Sequence, residues 1–264
     1  LYGAPRYPHS FPTRRSSVLP VYRERMRWFH EARFGMFIHW GLYALLGRGE
    51  WAMFTDRVPA AEYRRLARRF VARRFDATAW ARVARDAGMR YMVLTARHHD
   101  GFCLYDSAVS DFTAPKTGAR RDFVAEYVEA CRAAGLHVGI YYSPLSWQFA
   151  GNFEPERHPD SLAEMRDLAR AQVLELVRNY GKIDLLWYDG GYVYNAMKSR
   201  DDMAPFWGAR ELNAAVRRIQ PHIVINNRLG TDEDIDTPEQ HVKASAAGRG
   251  WETCMTMAGA AGWG

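Results

Sequence analysis

Three observations predict an α/β chain, an incomplete (β/α)8 TIM-type barrel with about six of its strand–helix units. Continuous apolar runs alternate with amphipathic helical stretches, which calls for a parallel sheet. The ends of those runs are crowded with polar and aromatic side chains, as at the functional rim of a barrel. A doubly wound nucleotide-binding sheet would place GxGxxG after its first strand, whereas that turn reads His39-Trp40-Gly41-Leu42-Tyr43.

The elements follow in order. Gly35-Met36-Phe37-Ile38-His39-Trp40 is the first strand, continuous rather than alternating and so buried on both faces. Asp76 caps a helix with Trp80, Val83, Ala84 and Ala87 on one stripe, and Gly88 ends it. The second strand is Tyr91-Met92-Val93-Leu94-Thr95. Asp122 opens a helix carrying Phe123, Val124, Tyr127, Val128 and Cys131, closed by Gly135. His137-Val138-Gly139-Ile140-Tyr141-Tyr142 is the third strand. A helix over 161–180 aligns Leu162, Met165, Ala169, Val173, Leu176, Val177 and Tyr180 before Gly181. Ile183-Asp184-Leu185-Leu186-Trp187-Tyr188 is the fourth strand, and 207–219 a weaker helix. Ile223-Val224-Ile225-Asn226-Asn227 and a run from Trp251 to Thr256 complete the set.

Composition excludes several classes. The 264 residues are 48% hydrophobic and 25% charged, which suits a folded domain and not a disordered or fibrous chain. No run approaches the roughly 20 apolar residues of a membrane span. Cys103, Cys131 and Cys254 are scattered, with no CxxC pair, and form neither a disulfide framework nor a zinc site. Residues 1–17 have no apolar core of a secretory signal and resemble a translated adapter, a non-native segment. They hold Arg6, Arg14 and Arg15 and no acid, so without them the net charge of +6 falls to +3. That removes most of the case for a nucleic-acid surface. The domain is then 18–264. Localisation and oligomeric state stay open.

Chemistry in a barrel gathers at the C-terminal strand ends. Here they carry His39-Trp40, Arg97-His98-His99-Asp100, Tyr141-Tyr142-Ser143, Trp187-Tyr188-Asp189, Asn226-Asn227-Arg228 and Trp251-Glu252. A lone His39 is more often a satisfied core histidine than a functional one. His98 and His99 point to opposite sides of a strand and lack a matching ligand cluster, which speaks against metal. His137 merely begins its strand, Asp184 sits at the wrong strand end for catalysis, and Asp100-Gly101 is turn chemistry. Asp189 differs. A carboxylate at the tip of an apolar strand is costly unless paired or used. Gly190 and Gly191 beyond it permit close approach. A carboxylate among aromatic and histidine side chains suits glycoside hydrolysis, which needs a second carboxyl. Glu252, Glu239 and Glu50 are the candidates.

Taken as a set, FGMFIHWG at 34–41, Glu50-Trp51, ARHHDGF at 96–102, WYDG at 187–190, Asn226-Asn227-Arg228, TPEQ at 237–240 and WETCMT at 251–256 resemble the glycoside hydrolase family 29 α-L-fucosidases. The likeness runs from about residue 22 to 264. It implies a retaining exo-hydrolase that releases terminal α-L-fucose from glycans through a covalent fucosyl-enzyme, without a cofactor or metal. Asp189 matches the nucleophile. Glu252 is the first choice for the acid/base and Glu239 the alternative. His39, Glu50, Trp51, His98, His99, Tyr142, Trp187 and Arg228 match positions that hold the sugar. The resemblance also implies a partial barrel here, with the family's C-terminal β-sandwich absent. The polypeptide as it stands is then expected to be unstable or inactive.

Rival expectations remain. A related retaining glycosidase acting on α-galactosides would share much of the pattern of axial hydroxyls. A non-catalytic carbohydrate-binding relative would lack one carboxylate, yet both are present. A metal-dependent hydrolase would rest on His98 and His99.

Overall fold

The computed structural model describes residues 15–246, 248–257 and 262–263. Most of the adapter-like segment, and the stretch 258–261 before Gly262, lie outside them. The described chain opens with α1 (Arg15–Ala32), which therefore takes in the last residues of that segment. It continues through β1 (Gly35–Ile38), the short α2 (Ala52–Thr55) and α3 (Ala60–Arg65), α4 (Ala77–Asp86) and β2 (Tyr91–Arg97). Then come α5 (Phe123–Ala133), β3 (His137–Tyr142), α6 (Pro159–Asn179) and β4 (Leu185–Tyr188). The last elements are α7 (Met203–Trp207), α8 (Ala209–Ile219), β5 (Val224–Ile225), β6 (Ile235–Asp236) and β7 (Gly250–Trp251).

β1 to β5 form one parallel sheet in sequence order. β6 and β7 pair in parallel beside it, and a bridge between Asn226 and Ile235 carries the order on from β5. This is the strand sequence of a (β/α) barrel, with seven strands among the described residues where the apolar runs suggested about six. The unforeseen one is β6. It is two residues long in a polar stretch, so no hydrophobic period marks it.

Local chemistry starts the helices where it was expected to. The Asp76 carboxylate accepts from the Ala79 N–H at 2.9 Å, and that of Asp122 from the Ala125 N–H at 2.8 Å. Pro159 opens α6 with its pre-set φ.

Strand parity sorts the side chains into two layers. Met92, Leu94, Val138, Ile140, Tyr142, Leu186, Tyr188 and Ile225 pack outward against the helices. Phe37, Tyr91, Val93, Tyr141, Leu185, Trp187, Val224 and Ile235 fill the interior with Met26 and Phe29 of α1. Trp28 stacks on His137, the first residue of β3, at 4.4 Å, so α1 covers the N-terminal end of the barrel. Arg25 pins it there by two hydrogen bonds to Asp234, at 2.6 and 3.0 Å. The opposite end is left for loops.

Asp184 also works at the covered end. It accepts from the Val138 N–H at 2.9 Å and lies 2.8 Å from Lys182 and 3.3 Å from His137. Burial pushes its carboxyl up, but these three partners prevail and hold it at about 2. A depressed carboxyl contributes stability above its unfolded value of about 3.9 and loses it as pH falls towards the folded one. Replacing Asp184 by Asn is expected to cost about 2 kcal/mol in urea unfolding at pH 7. The gap to the parent chain should narrow steadily below pH 4.

Candidate active site

One cavity of about 1030 Å³ opens at the C-terminal ends of the strands. Of the residues singled out in the sequence, Asp189, His39, Glu50, Trp51, His98, His99, Trp187, Arg228 and Glu239 line it. Tyr142 and Glu252 do not.

Asp189 follows the last residue of β4, and its carboxylate has three partners. Arg228 Nη1 donates to Oδ1 at 2.9 Å, the Tyr141 hydroxyl donates to Oδ2 at 2.9 Å, and His99 Nε2 is 3.8 Å from Oδ2. Burial would push this carboxyl up. Arg228, His99, the Gly190 N–H and Tyr141 together hold it below the ordinary aspartate value, so it is ionised at neutral pH. Gly190 takes a left-handed conformation at φ 64°, and a Cβ there would lie 2.8 Å from the His99 ring. A Cβ on Gly191 would lie 2.4 Å from the Arg228 carbonyl oxygen. The glycine pair thus brings the β4 and β5 tips together.

Arg228 organises the acids. Its Nη2 donates to Glu239 Oε2 at 2.8 Å and to the Thr237 carbonyl at 3.0 Å, and its Nε donates to Thr237 Oγ1 at 2.7 Å. The guanidinium lies 4.4 Å over the Trp187 ring. Trp263 reaches back from the end of the chain. Its indole N–H donates to Glu239 Oε1 at 3.1 Å, its backbone N–H donates to Glu50 Oε2 at 3.0 Å, and its ring stacks on His39 at 5.3 Å.

The imidazoles are neutral. Burial, with a smaller opposing pull from Asp189, takes His39 down to about 3. Burial likewise lowers His98 and His99. The Nδ1 atoms of His39 and His98 are buried and have no hydrogen-bond partner. Neutral imidazoles lining a cavity suit the hydroxyl groups of a bound molecule, since each ring can both donate and accept. Among the described residues no group of three or more His, Cys, Asp and Glu could hold a metal ion.

Tyr142 and Glu252 stand apart from the cavity lining for different reasons. Tyr142 faces the helix layer, and its hydroxyl donates to Gln172 Oε1 of α6 at 2.8 Å. Neighbouring strand residues point to opposite faces, and it is Tyr141 that faces the cavity. Glu252 follows β7 and turns into the barrel interior. Tyr91 donates to its Oε2 at 2.5 Å and the Trp187 indole to its Oε1 at 3.0 Å. Burial raises its pKa, as an acid/base would require, and its oxygens are held by Tyr91 and by Trp187, which itself lines the cavity. Trp147 and Trp263 line the cavity without having been singled out as site residues. No motif or strand-end pattern in the sequence marks them.

The model of the alpha-L-fucosidase family matches residues 14–264. The chain belongs to that family. Human tissue alpha-L-fucosidase is 32% identical over 212 residues, 70% of this chain and 42% of that protein. Isoenzyme 1 of the Paenibacillus thiaminolyticus alpha-L-fucosidase superposes with a TM-score of 0.79 at 39% identity, covering 90% of this chain and 62% of that one. A Bacteroides thetaiotaomicron GH29 alpha-L-fucosidase, trapped as a covalent intermediate with 2-fluoro-fucosyl fluoride, gives 0.77 at 26% identity over 88% and 60%. The chain spans about half the length of the curated relatives it matches. As in the family's catalytic domain, the strands are those of a (β/α)8 barrel.

The parity of β3 is open to a direct check in this fucosidase-family chain. Tyr141→Phe should raise the Asp189 pKa, read from the carboxyl 13C shift on titration, because one hydrogen bond to the ionised form is lost. Tyr142→Phe should leave that titration unchanged. It should cost about 1 kcal/mol in unfolding through its lost buried hydrogen bond.

Proposed function

We propose that this chain forms the catalytic site of a retaining exo-α-L-fucosidase, acting on terminal α-L-fucosyl groups of glycans. The observation that carries the proposal is the Arg228 guanidinium, hydrogen-bonded to Asp189 on one side and Glu239 on the other. Both carboxylates line the same cavity, as the nucleophile and acid/base of a retaining hydrolase must. The covalent intermediate named for the Bacteroides relative is of the kind a retaining enzyme forms.

Asp189 is the nucleophile. Its carboxylate is ionised and backed by Tyr141, His99 and Arg228, so it can attack the anomeric carbon while the C1–O bond to the leaving group breaks. The acid/base is assigned to Glu239 in place of Glu252. A proton donor must reach the glycosidic oxygen, and geometry precedes pKa in that choice. Both glutamates have both oxygens held, Glu239 by Arg228 and Trp263 and Glu252 by Tyr91 and Trp187, but Glu239 lines the cavity and its side chain is 40% exposed, whereas Glu252 does not line it. Glu239 protonates the departing oxygen in the first step. In the second it takes a proton from water, the water oxygen bonds to C1 and Asp189 is released.

Neutral His39, His98 and His99, with Glu50, offer hydrogen bonds to an uncharged sugar. Trp187, Trp263 and Phe37 give apolar surface for ring carbons and a methyl group.

Incubation with 2-fluoro-fucosyl fluoride should label Asp189, located by peptide mass spectrometry. A label on another side chain overturns the assignment. Asp189→Gly should abolish turnover of an aryl fucoside and regain part of it with azide. Glu239→Ala should lower kcat/KM on natural fucosyl linkages about 10²–10⁴-fold. It should largely spare substrates whose leaving group needs no proton. Should Glu252→Ala show that split instead, the acid/base role returns to Glu252.

A further inference from the structure

We propose that the outer cavity is an aglycone subsite, built as an aromatic wall that stacks on the pyranose next to the cleaved bond. The inference rests on the fucosidase reading of the inner site and adds what is held beyond it.

The wall is a chain of touching rings that begins at the nucleophile. His99, 3.8 Å from Asp189, meets Trp51 at 5.4 Å and Trp147 at 5.3 Å between ring centres. Trp147 stacks on Phe54 at 5.5 Å, and Phe54 lies nearly parallel to Phe153, 15° between planes at 6.3 Å. All these rings line the one cavity. Exposure rises outward: His99 is 4% exposed and Trp147 5%, against 44% for Trp51, 47% for Phe54 and 40% for Phe153. Single exposed apolar residues are ordinary, but contiguous ones rimming a cavity mark a binding surface.

The wall is held by backbone bonds and does not merely hang from loops. The Trp147 N–H donates to the His99 carbonyl at 2.8 Å. Asn195 Nδ2 donates to the Phe153 carbonyl at 2.5 Å, which ties the loop after β4 to the wall. The cavity, about 1030 Å³, lies at the upper end of pockets that hold drug-sized ligands and exceeds what one monosaccharide fills. The electron-rich face of an aromatic ring favours the C–H face of a pyranose and gives little to an acyclic polyol. The occupant is therefore a pyranose with an open C–H face.

Phe54 is the test position, since it joins Trp147 to Phe153, meets Trp51 edge-on at 5.7 Å, and has neither Asp189 nor Glu239 among its described partners. Phe54→Leu keeps apolar volume and Phe54→Ala removes it. Both should lower kcat/KM on fucosyl-N-acetylglucosamine and fucosyl-galactose disaccharides about two- to tenfold. Neither should change turnover of α-L-fucosyl fluoride, which carries no aglycone ring. Equal loss on both substrate kinds, or loss on neither, overturns the proposal.

A binding measurement separates this from the fucosidase reading. Methyl β-D-galactoside and methyl β-D-N-acetylglucosaminide are titrated against tryptophan fluorescence, with L-arabinitol as the acyclic control. At least one glycoside should give a saturable change that weakens in Phe54→Leu, and arabinitol none. If no fucoside is turned over while this pattern appears, the fucosidase reading fails and the subsite stands. If neither glycoside binds, the subsite fails whatever the enzyme hydrolyses.

Discussion

The candidate site depends on one half-buried cation. Taking the Arg228 guanidinium out of water is costly, and it is sustained only because each edge meets an acceptor. Asp189, Glu239, Thr237 and the Cys254 sulfur accept its hydrogen bonds, and the Trp187 face supports its plane. A planar fork fixed on three sides cannot drift, so the two carboxylates it holds are fixed relative to one another. Lysine, a point charge on a flexible stem, would not impose that geometry.

Electrostatics divides the cavity into a charged seam and a neutral wall. Asp189, Arg228 and Glu239 make the seam. The histidines facing it are kept neutral by burial, which overrides the attraction of Asp189. Neutral imidazoles can give and accept hydrogen bonds with hydroxyl groups without competing for Arg228. The result favours an uncharged, hydroxyl-rich molecule.

Glu252 shows how a group outside the cavity supports one within it. It holds the Trp187 indole N–H, and Trp187 in turn underlies Arg228. At the other end of the barrel α1 covers the strand starts through Met26, Phe29 and the Arg25–Asp234 pair. Asp234 also binds Arg217 of α8, so floor and outer layer are joined through the same carboxylate. The open end is left to the loops that carry the chemistry.

Hydrophobic period and caps were sufficient for the long elements. The runs at 35–40, 137–142 and 183–188 contain their strands, β2 outruns its run at 91–95 by two residues to Arg97, and Asp76 and Asp122 cap the helices they were expected to start. Asp189 stood out because a carboxylate ending an apolar run demands a partner wherever the chain goes. Other choices turned on relations that no local pattern contains. Whether Tyr141 or Tyr142 faces the cavity is a matter of parity in the closed sheet. Glu239 and Glu252 are both glutamates beside the bridge joining residue 239 to Cys254. Only the packing of Tyr91 and Trp187 draws the second inward. The aromatic wall and Trp263 come from separate loops, brought together by the return of the chain. The sequence by itself determined the alternation of strand and helix and the acid at the fourth tip, because burial and capping act within a few residues. The tertiary structure alone decided which acid, tyrosine and tryptophan share a cavity, because that depends on the register and closure of strands far apart in the chain.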